Sequence, residues 1–517
     1  MAKEHFPITF GGLNNKDASF DILDNQCQDI LNMVFTQTGG TETRGGSTLF
    51  GDDTGANKVS GMGVYEYDNS TGTKTKSIYR SVGTAVEKLV AGVWTVQAGV
   101  AITAGYPCQF VQANNRLYIF NGIDAVWRLD NTTWTQLATG APFSGANNIG
   151  RYAVFHKGAF YVSGFFSDQD LVMVSGDSVG SLNDQENFTG GWSYSISKRD
   201  NTGAITGLIK FNDYVYVAKQ NGFTSMIGTA TSMSLQDKIF NIGCIAPRSL
   251  ATDGNYIYFL AGDGHIHAYD GGVEEYKLSE IIRTTMEGLN NEMYSSACGI
   301  YYKKQNQYLL SVANGSDTTN TLTLMLDLNE STIATRDPNL RWFSKFSGIV
   351  PSVWIEFSST SASPALIFGE DRADSKTYTM YSGTSDNGVA IDSYYITKSF
   401  SVNEPQRDKR WKELFVDAYQ SGNWDLYCYY ATDGQTTFVA TTPATINLSN
   451  PSVLPFTLPH VIDAGFIATY NDVLLYVDSR YIAFKFRINT VNQFFKLFRL
   501  ILYFNPSKIR RRISITS

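Results

Sequence analysis

Paired cysteines, long apolar runs, positive charge and catalytic signatures are what this sequence lacks. Its five cysteines, Cys27, Cys108, Cys244, Cys298 and Cys428, are odd in number, scattered, and form no C-x-x-C pair. That pattern argues against a disulfide framework or zinc ribbon and predicts buried thiols in a protein folded in a reducing cytosol. The most apolar segment, VNQFFKLFRLILYF, is interrupted by Lys496 and Arg499, so no stretch reaches the length of a membrane span. The opening MAKEHFPITF has no apolar signal core, and a soluble protein not exported by the classical route is expected. A net charge of −7 excludes general attraction to a phosphate backbone, although a lumen past which DNA slides without sticking tolerates that sign. There is no G-x-x-x-x-G-K-[ST], no dinucleotide fingerprint and no G-x-S-x-G elbow, so nucleotide chemistry and an esterase-type nucleophile have no support.

What the chain has instead is 30 Tyr, 32 Phe and 45 Gly, with only 13 Pro and 17% charged residues. Aromatic and β-branched residues punctuated by Gly, Asn and Asp predict short strands joined by tight turns, a mainly β protein. One pattern recurs: a turn, an aromatic-rich strand, a short gap and a second strand, as in NNRLYIFNGIDAVWRLDNTTW and GNYIYFLAGDGHIHAYDGG. Seven copies are visible, anchored on Tyr79, Tyr118, Tyr161, Tyr216, Tyr258, Leu309 and Ile367. Their spacing of about 39 to 58 residues matches the blades of a β-propeller, with six or seven blades. An isolated four-stranded sheet cannot bury either face, whereas one packed radially between two neighbours buries both. GNYIYFLAG fits that demand, because Tyr256, Tyr258 and Leu260 alternate with Ile257 and Phe259 and both sets are apolar. A string of β-sandwich domains is the alternative.

At the N-terminus, Met33 to Gln37, Thr38-Gly39-Gly40 and Thr41 to Arg44 read as a hairpin, after which Gly45-Gly46 redirects the chain into another short strand. In KLSEIIRTTMEGLNN, Ser279 is expected to cap a short helix with Leu278, Ile281, Ile282, Thr285 and Leu289 near one face. After about residue 390, longer alternating strands such as KRWKELFVDAY and KLFRLILYF predict a separate β-sandwich. The expected organisation is therefore 1–54 as N-terminal strands that pack on a platform or close the propeller, 55–390 as propeller, and 391–517 as C-terminal sandwich.

Chemistry-bearing constellations are few. His265 and His267 in GDGHIHAYD would place two imidazoles on one face of a strand, as some metal sites require, but no third His is near. Glu370, Asp371 and Asp374 in GEDRADSKTY read as an acid pair, a cation loop, or a solvated turn balanced by Arg372 and Lys376. Asp263-Gly264 and Asp433-Gly434 are β-turns, since nothing like them repeats once per blade. A non-enzyme with no cofactor and no metal is expected.

Several of these segments resemble a known family. G-G-L-N-x-K-D from Gly11, D-N-Q-x-x-D-I-L-N-M-x-F-T from Asp24 and E-T-R-G-G from Glu42 resemble the N-terminal signature of short-tailed phage tail-hub, or nozzle, proteins of the packaged-DNA-stabilisation type. The stretch from Tyr381, Y-x-G-T-S-D-N-G-V-A-I-D-S-Y-Y-I-T-K-S-F, leading to K-R-W-K-E-L-F-V, is similar to that family's exit from propeller into sandwich, and the helix LSEIIRTTMEGL lies where those proteins often carry one. The resemblance implies a virion protein folded in the host cytoplasm and built into the tail as a ring, usually hexameric, below portal and adaptor. Such a ring extends the DNA channel, helps retain the packaged genome, conducts it at ejection without sequence-specific binding, and mounts fibres or spikes. The alternatives are a peripheral receptor- or glycan-binding propeller, with Trp134 and Trp192 as candidate contacts, and a polysaccharide-degrading enzyme.

The tail KIRRRIS gathers Lys508, Arg510, Arg511 and Arg512. For a channel protein these invite a DNA contact, against which stand a solvated edge that discourages strand addition and an anchor for an acidic neighbour. Alanine at Arg510, Arg511 and Arg512 together is expected to leave stability within about 0.5 kcal/mol of the parent. Loss of incorporation into particles, read on a gel of purified virions, supports docking through this tail, and unaffected incorporation sinks it.

Overall fold

The computed structural model describes residues 4–52, 55–68, 72, 74–138, 140–176, 184–189, 191–196, 202–229, 232–272, 274–359, 363–449 and 468–506. Among these residues the chain forms seven four-stranded antiparallel sheets and one eleven-stranded sheet. The seven are the blades of a β-propeller: 59–96, 109–136, 152–195, 205–240, 251–277, 298–346, and 351–380 completed by Ser47–Leu49. All seven anchor residues lie on the second strand of their blade and are at most 2% exposed.

Why the sheets stack as they do follows from the second strands. Residues Ile257–Leu260 are wholly buried, with Ile257 and Phe259 in the core shared with blade 4 and Tyr258 and Leu260 in the core shared with blade 6. The same alternation runs through Tyr161 against Phe160 and Val162, and through Tyr216 against Val215 and Val217. Each sheet thus gives one face to each neighbour, and the seven apolar clusters correspond to the seven blade-to-blade interfaces. At roughly 1.5–3 kcal/mol for each large apolar side chain fully buried, these interfaces supply the main stabilisation. First strands of adjoining blades lie side by side around the axis. Gly61 allows one such approach, since a Cβ there would sit 2.1 Å from the Cys108 carbonyl oxygen.

The ring closes through the N-terminal segment. Leu49, Thr48 and Ser47 pair with Tyr378, Thr379 and Met380, so the fourth strand of blade 7 precedes blade 1 in sequence. Before reaching that position the same segment builds the second unit. Met33–Phe35 pairs with Thr41–Thr43 in the anticipated hairpin, and Thr41 and Glu42 continue the ladder onto Leu497 and Lys496. Cys27–Leu31 pairs with Ser393–Thr397 at the other end of the eleven-stranded sheet. Only Asn32, in the left-handed region at φ +54°, separates these two terminal strands, so the sheet folds back on itself into a nearly closed platform. Its remaining seam is the single pair Thr442 and Leu474.

The core of this platform is not separate from the propeller. One cluster runs from Trp411, Leu414, Leu500 and Phe484 through Leu13 and Met33 into Tyr258, Leu278, Tyr308 and Phe343 of blades 5 and 6. Backbone bonds reinforce the contact, with Leu13 donating to the Phe343 carbonyl at 3.0 Å and Asn32 to that of Lys345 at 2.7 Å. The short helix also departs from expectation. It opens as a 3-10 turn at Ser279–Ile282 before Arg283–Glu287, with no side-chain cap. The Ser279 hydroxyl instead accepts from the Ile266 amide and meets the His265 Nδ1, both at 2.9 Å.

Arg44 ties the two units. Its side chain is fully buried, and Nε donates to Asn32 Oδ1 at 2.9 Å while the two terminal nitrogens take Asp386 in a fork at 3.0 and 2.5 Å. Further bonds reach the Gly45 and Ser347 carbonyls, and Ser47 donates to the same Asp386 carboxylate. Removing one partner of such a pair strands a buried charge, which typically costs about 3–5 kcal/mol. Arg44→Ala is expected to lower unfolding stability by about that amount in a urea titration, and Arg44→Lys to recover only part of it, because an ammonium cannot reproduce the fork.

Candidate functional site

The sequence candidates resolve into structural ties. His265 and His267 do not converge on a common point. The strand begins at Ile266, so His265 belongs to the preceding turn, where burial and then the Lys277 charge hold its pKa below the usual histidine range. His267, 1% exposed, is held between carboxylates, with Nε2 at 3.0 Å from Asp263 and Nδ1 against Glu275. Lys277 adds an ion pair to Asp263 at 2.9 Å. Burial would raise the Asp263 carboxyl, but hydrogen bonds from His267 and Lys277 and the His267 charge outweigh it and leave that pKa well below the carboxylate range. Among the described residues no group of three or more His, Cys, Asp or Glu is placed to hold a metal ion.

All five cysteine thiols are buried and unpaired, and burial raises those of Cys244, Cys298 and Cys428 to about 12. Asp433 and Gly434, both at positive φ, form a turn in which the Asp433 carboxylate accepts from the Arg480 and Tyr481 amides. Trp134 and Trp192 lie on outermost strands rather than on loops. Trp134 packs edge-on against Tyr79, and Trp192 is 47% exposed. Arg510, Arg511 and Arg512 lie outside the described residues.

Glu370, Asp371 and Asp374 split between three partners. Glu370 accepts from Arg372 at 2.6 Å, Asp374 pairs with Lys376 at 3.1 Å, and Asp371, almost wholly buried, pairs with Lys58 and accepts from the Asn320 amide at 3.0 Å. Ser375 then fastens this turn to blade 1 through Asn57 and Arg80.

Lys58 leads to a concave feature near the propeller axis. Asn57, Lys58, Ser60, Tyr106, Pro107 and Arg248 line a cavity of about 250 Å³. Arg248 belongs to the short turn that opens blade 5, yet it donates to the Ser352 carbonyl on the first strand of blade 7 at 2.8 Å and to the Ser296 carbonyl ahead of blade 6 at 3.0 Å. Its guanidinium therefore reaches past blade 6 to blade 7 on the inner side of the ring and narrows the central hole. Nothing in the motif IAPRSLATDG distinguishes this arginine from any surface turn residue, which is why sequence reasoning passed over it.

The signature residues of the N-terminal segment also find their physical roles. A Cβ on Gly12 would lie 2.7 Å from the Trp342 Cα, and one on Gly46 2.2 Å from the Ser385 carbonyl oxygen, so both mark close passage of backbone between platform and propeller. Asn14 accepts from the Lys16 and Asp17 amides and donates to Gln26, whose own amide reaches Asn339.

No protein-family model and no curated protein matches the chain. Solved structures similar to it include the Neurospora crassa Pan2 WD40 domain, at 10% identity and TM-score 0.38 over 67% of this chain and 96% of that one. YCF48 from Cyanidioschyzon merolae is similar at 8% identity and TM-score 0.40 over 65% and 98%. The seven-bladed assignment rests on the sheet topology described above. Among the described residues no helix is long and apolar enough to cross a membrane.

The Glu370 carboxyl carries a measurable consequence. Burial first, and the Asp374 charge second, raise its pKa against the opposing pull of Arg372. A carboxyl whose folded pKa is raised contributes stability below its unfolded pKa, and that contribution is lost as pH rises through the folded value. Melting temperatures followed from about pH 4 to about pH 8 are expected to decline less steeply for Glu370→Gln than for the parent. Parallel profiles would show that this carboxyl is ionised in both states.

Proposed function

We propose that the chain is a non-enzymatic structural component of a phage virion, a tail-hub or nozzle subunit that assembles into a ring, hexameric by resemblance, below portal and adaptor. In that role it extends the DNA channel, helps retain the packaged genome, conducts it at ejection and carries fibres or spikes. The observation that supports this most is a coincidence of position: the segments that resemble tail-hub proteins are the ones that tie propeller to platform. Gly11 to Asp17 and Asp24 to Thr36 pass between the units, Arg44 pins them, and the exit stretch from Tyr381 supplies Asp386. Two β units locked by one segment suit a subunit that transmits force without bending at a linker.

The DNA path follows from the axis. Arg248 narrows the propeller's own hole, and in this reading DNA runs between subunits rather than through a propeller. The chain's net charge of −7 favours passage over adhesion.

The exposed Trp192 on the rim of blade 3 favours a second reading, a peripheral receptor- or glycan-binding propeller, since an exposed indole suits a sugar face. Immunogold electron microscopy of purified particles, with antibody against this chain, separates the two. Axial label below the tail vertex, strongest after fibres are stripped, is the expected result. Label on peripheral appendages would transfer the assignment to the receptor-binding reading, and particles without label would remove the virion role altogether.

A further inference from the structure

We infer that the axial cavity beside Arg248 and Lys58 is a binding site for a small oxyanion, a carboxylate or a phosphoryl group presented by a ligand. The inference does not depend on the virion reading, because it concerns a feature internal to one propeller.

The cavity joins residues that are far apart in sequence. Asn57, Lys58 and Ser60 open blade 1, Tyr106 and Pro107 precede blade 2, and Arg248 arrives from blade 5. At about 250 Å³ it lies below the roughly 300–1,000 Å³ that encloses a drug-sized ligand, so it suits a single acid group.

Its charge points the same way. Lys58 and Arg248 contribute two cations, and the one carboxylate paired at this wall, Asp371, is almost wholly buried behind Lys58. One positive charge is left over. The Lys58 side chain is 43% exposed despite its ion pair, so it has a surface to offer an incoming anion.

Arg248 is also held ready. Two of its five N–H donors go to the Ser352 and Ser296 carbonyls, and these bonds fix the guanidinium plane while it lines the cavity. A planar fork matches the paired oxygens of a carboxylate or phosphate, and a fork fixed beforehand loses little side-chain freedom on binding. Neutral carbonyl partners leave the arginine's charge uncompensated, unlike Arg44, whose charge is met by Asp386.

The test is titration calorimetry of the full chain with inorganic phosphate and, separately, with acetate, at matched ionic strength. Saturable one-to-one binding of at least one probe is expected. Phosphate alone would identify a phosphoryl site, acetate alone a carboxylate site, and both an oxyanion site that does not discriminate. Lys58→Gln, which also removes the ion pair to Asp371 of blade 7 and is therefore read beside a thermal melt showing that the variant is folded at the titration temperature, is expected to weaken binding on the order of fivefold to tenfold. Arg248→Lys keeps the charge but loses the fork, and is expected to weaken binding at least as much. Absence of saturable binding with either probe up to about 50 mM, well beyond the millimolar range of weak specific sites, would overturn the inference. Affinity unchanged in Lys58→Gln would overturn it too.

Discussion

A buried guanidinium is costly unless its charge and its donors are met, and Arg44 meets both demands with groups drawn from the platform, the exit from blade 7 and the link between blades 6 and 7. Asn32 is the corner of the platform, Asp386 lies on the exit from blade 7, Ser347 links blades 6 and 7, and Gly45 begins the run to the closing strand. Desolvating one such ion costs several kcal/mol, and the return comes only from complete coordination. The network therefore specifies geometry more than it adds stability. With Arg44 in place, Ser47–Leu49 can reach blade 7 in only one register, and the propeller ring closes on that register.

The ring in turn depends on sheets that are apolar on both faces, and that requirement is what made the propeller legible in sequence. A second strand such as Ile257–Leu260 has no polar side to offer, so the repeat announces itself wherever a blade has one. Most fourth strands carry no comparable signal, because they meet solvent; that of blade 6, Trp342–Phe346, is instead buried against the platform. Thr133–Gln136 is mostly exposed, and the closing strand is three residues, Ser-Thr-Leu, lying about 330 positions from its partners. The ambiguity between six and seven blades came from that last sheet, whose fourth strand is not where the repeat places it. In the platform, Val439–Asn447 escaped notice because it is largely exposed and contains Pro443, which removes a ladder donor.

The site residues were less legible than the fold, for a different physical reason. Strand periodicity places His265 and His267 on one face only if both belong to the strand, and the turn ends between them. In the acid cluster Glu370 to Asp374, Arg372 and Lys376 of the same turn balance Glu370 and Asp374, as local sequence suggests, whereas the partner of Asp371 is Lys58, more than 300 positions away. Arg44 stood inside a recognisable segment without its role being visible, because its partner is 342 residues away. Arg248 had no signal at all, since its meaning comes from carbonyls of blades 6 and 7 that only ring closure brings within reach.

Arg44 and Arg248 show how one residue type can serve opposite ends. The first is neutralised by a carboxylate and sealed from solvent, so it can hold a joint but has nothing left to offer a ligand. The second is anchored by neutral carbonyls beside a cavity, so it keeps both its charge and open space in front of it. Under the proposed hub role the two act at different scales. The Arg44 joint ties propeller to platform, and in that role a force on the platform reaches the blades through it. Arg248 narrows the propeller's own hole, so in that role a DNA duplex is enclosed by several such bodies rather than by one. A subunit built this way contributes a wall rather than a pore, and the pore is a property of the assembled ring.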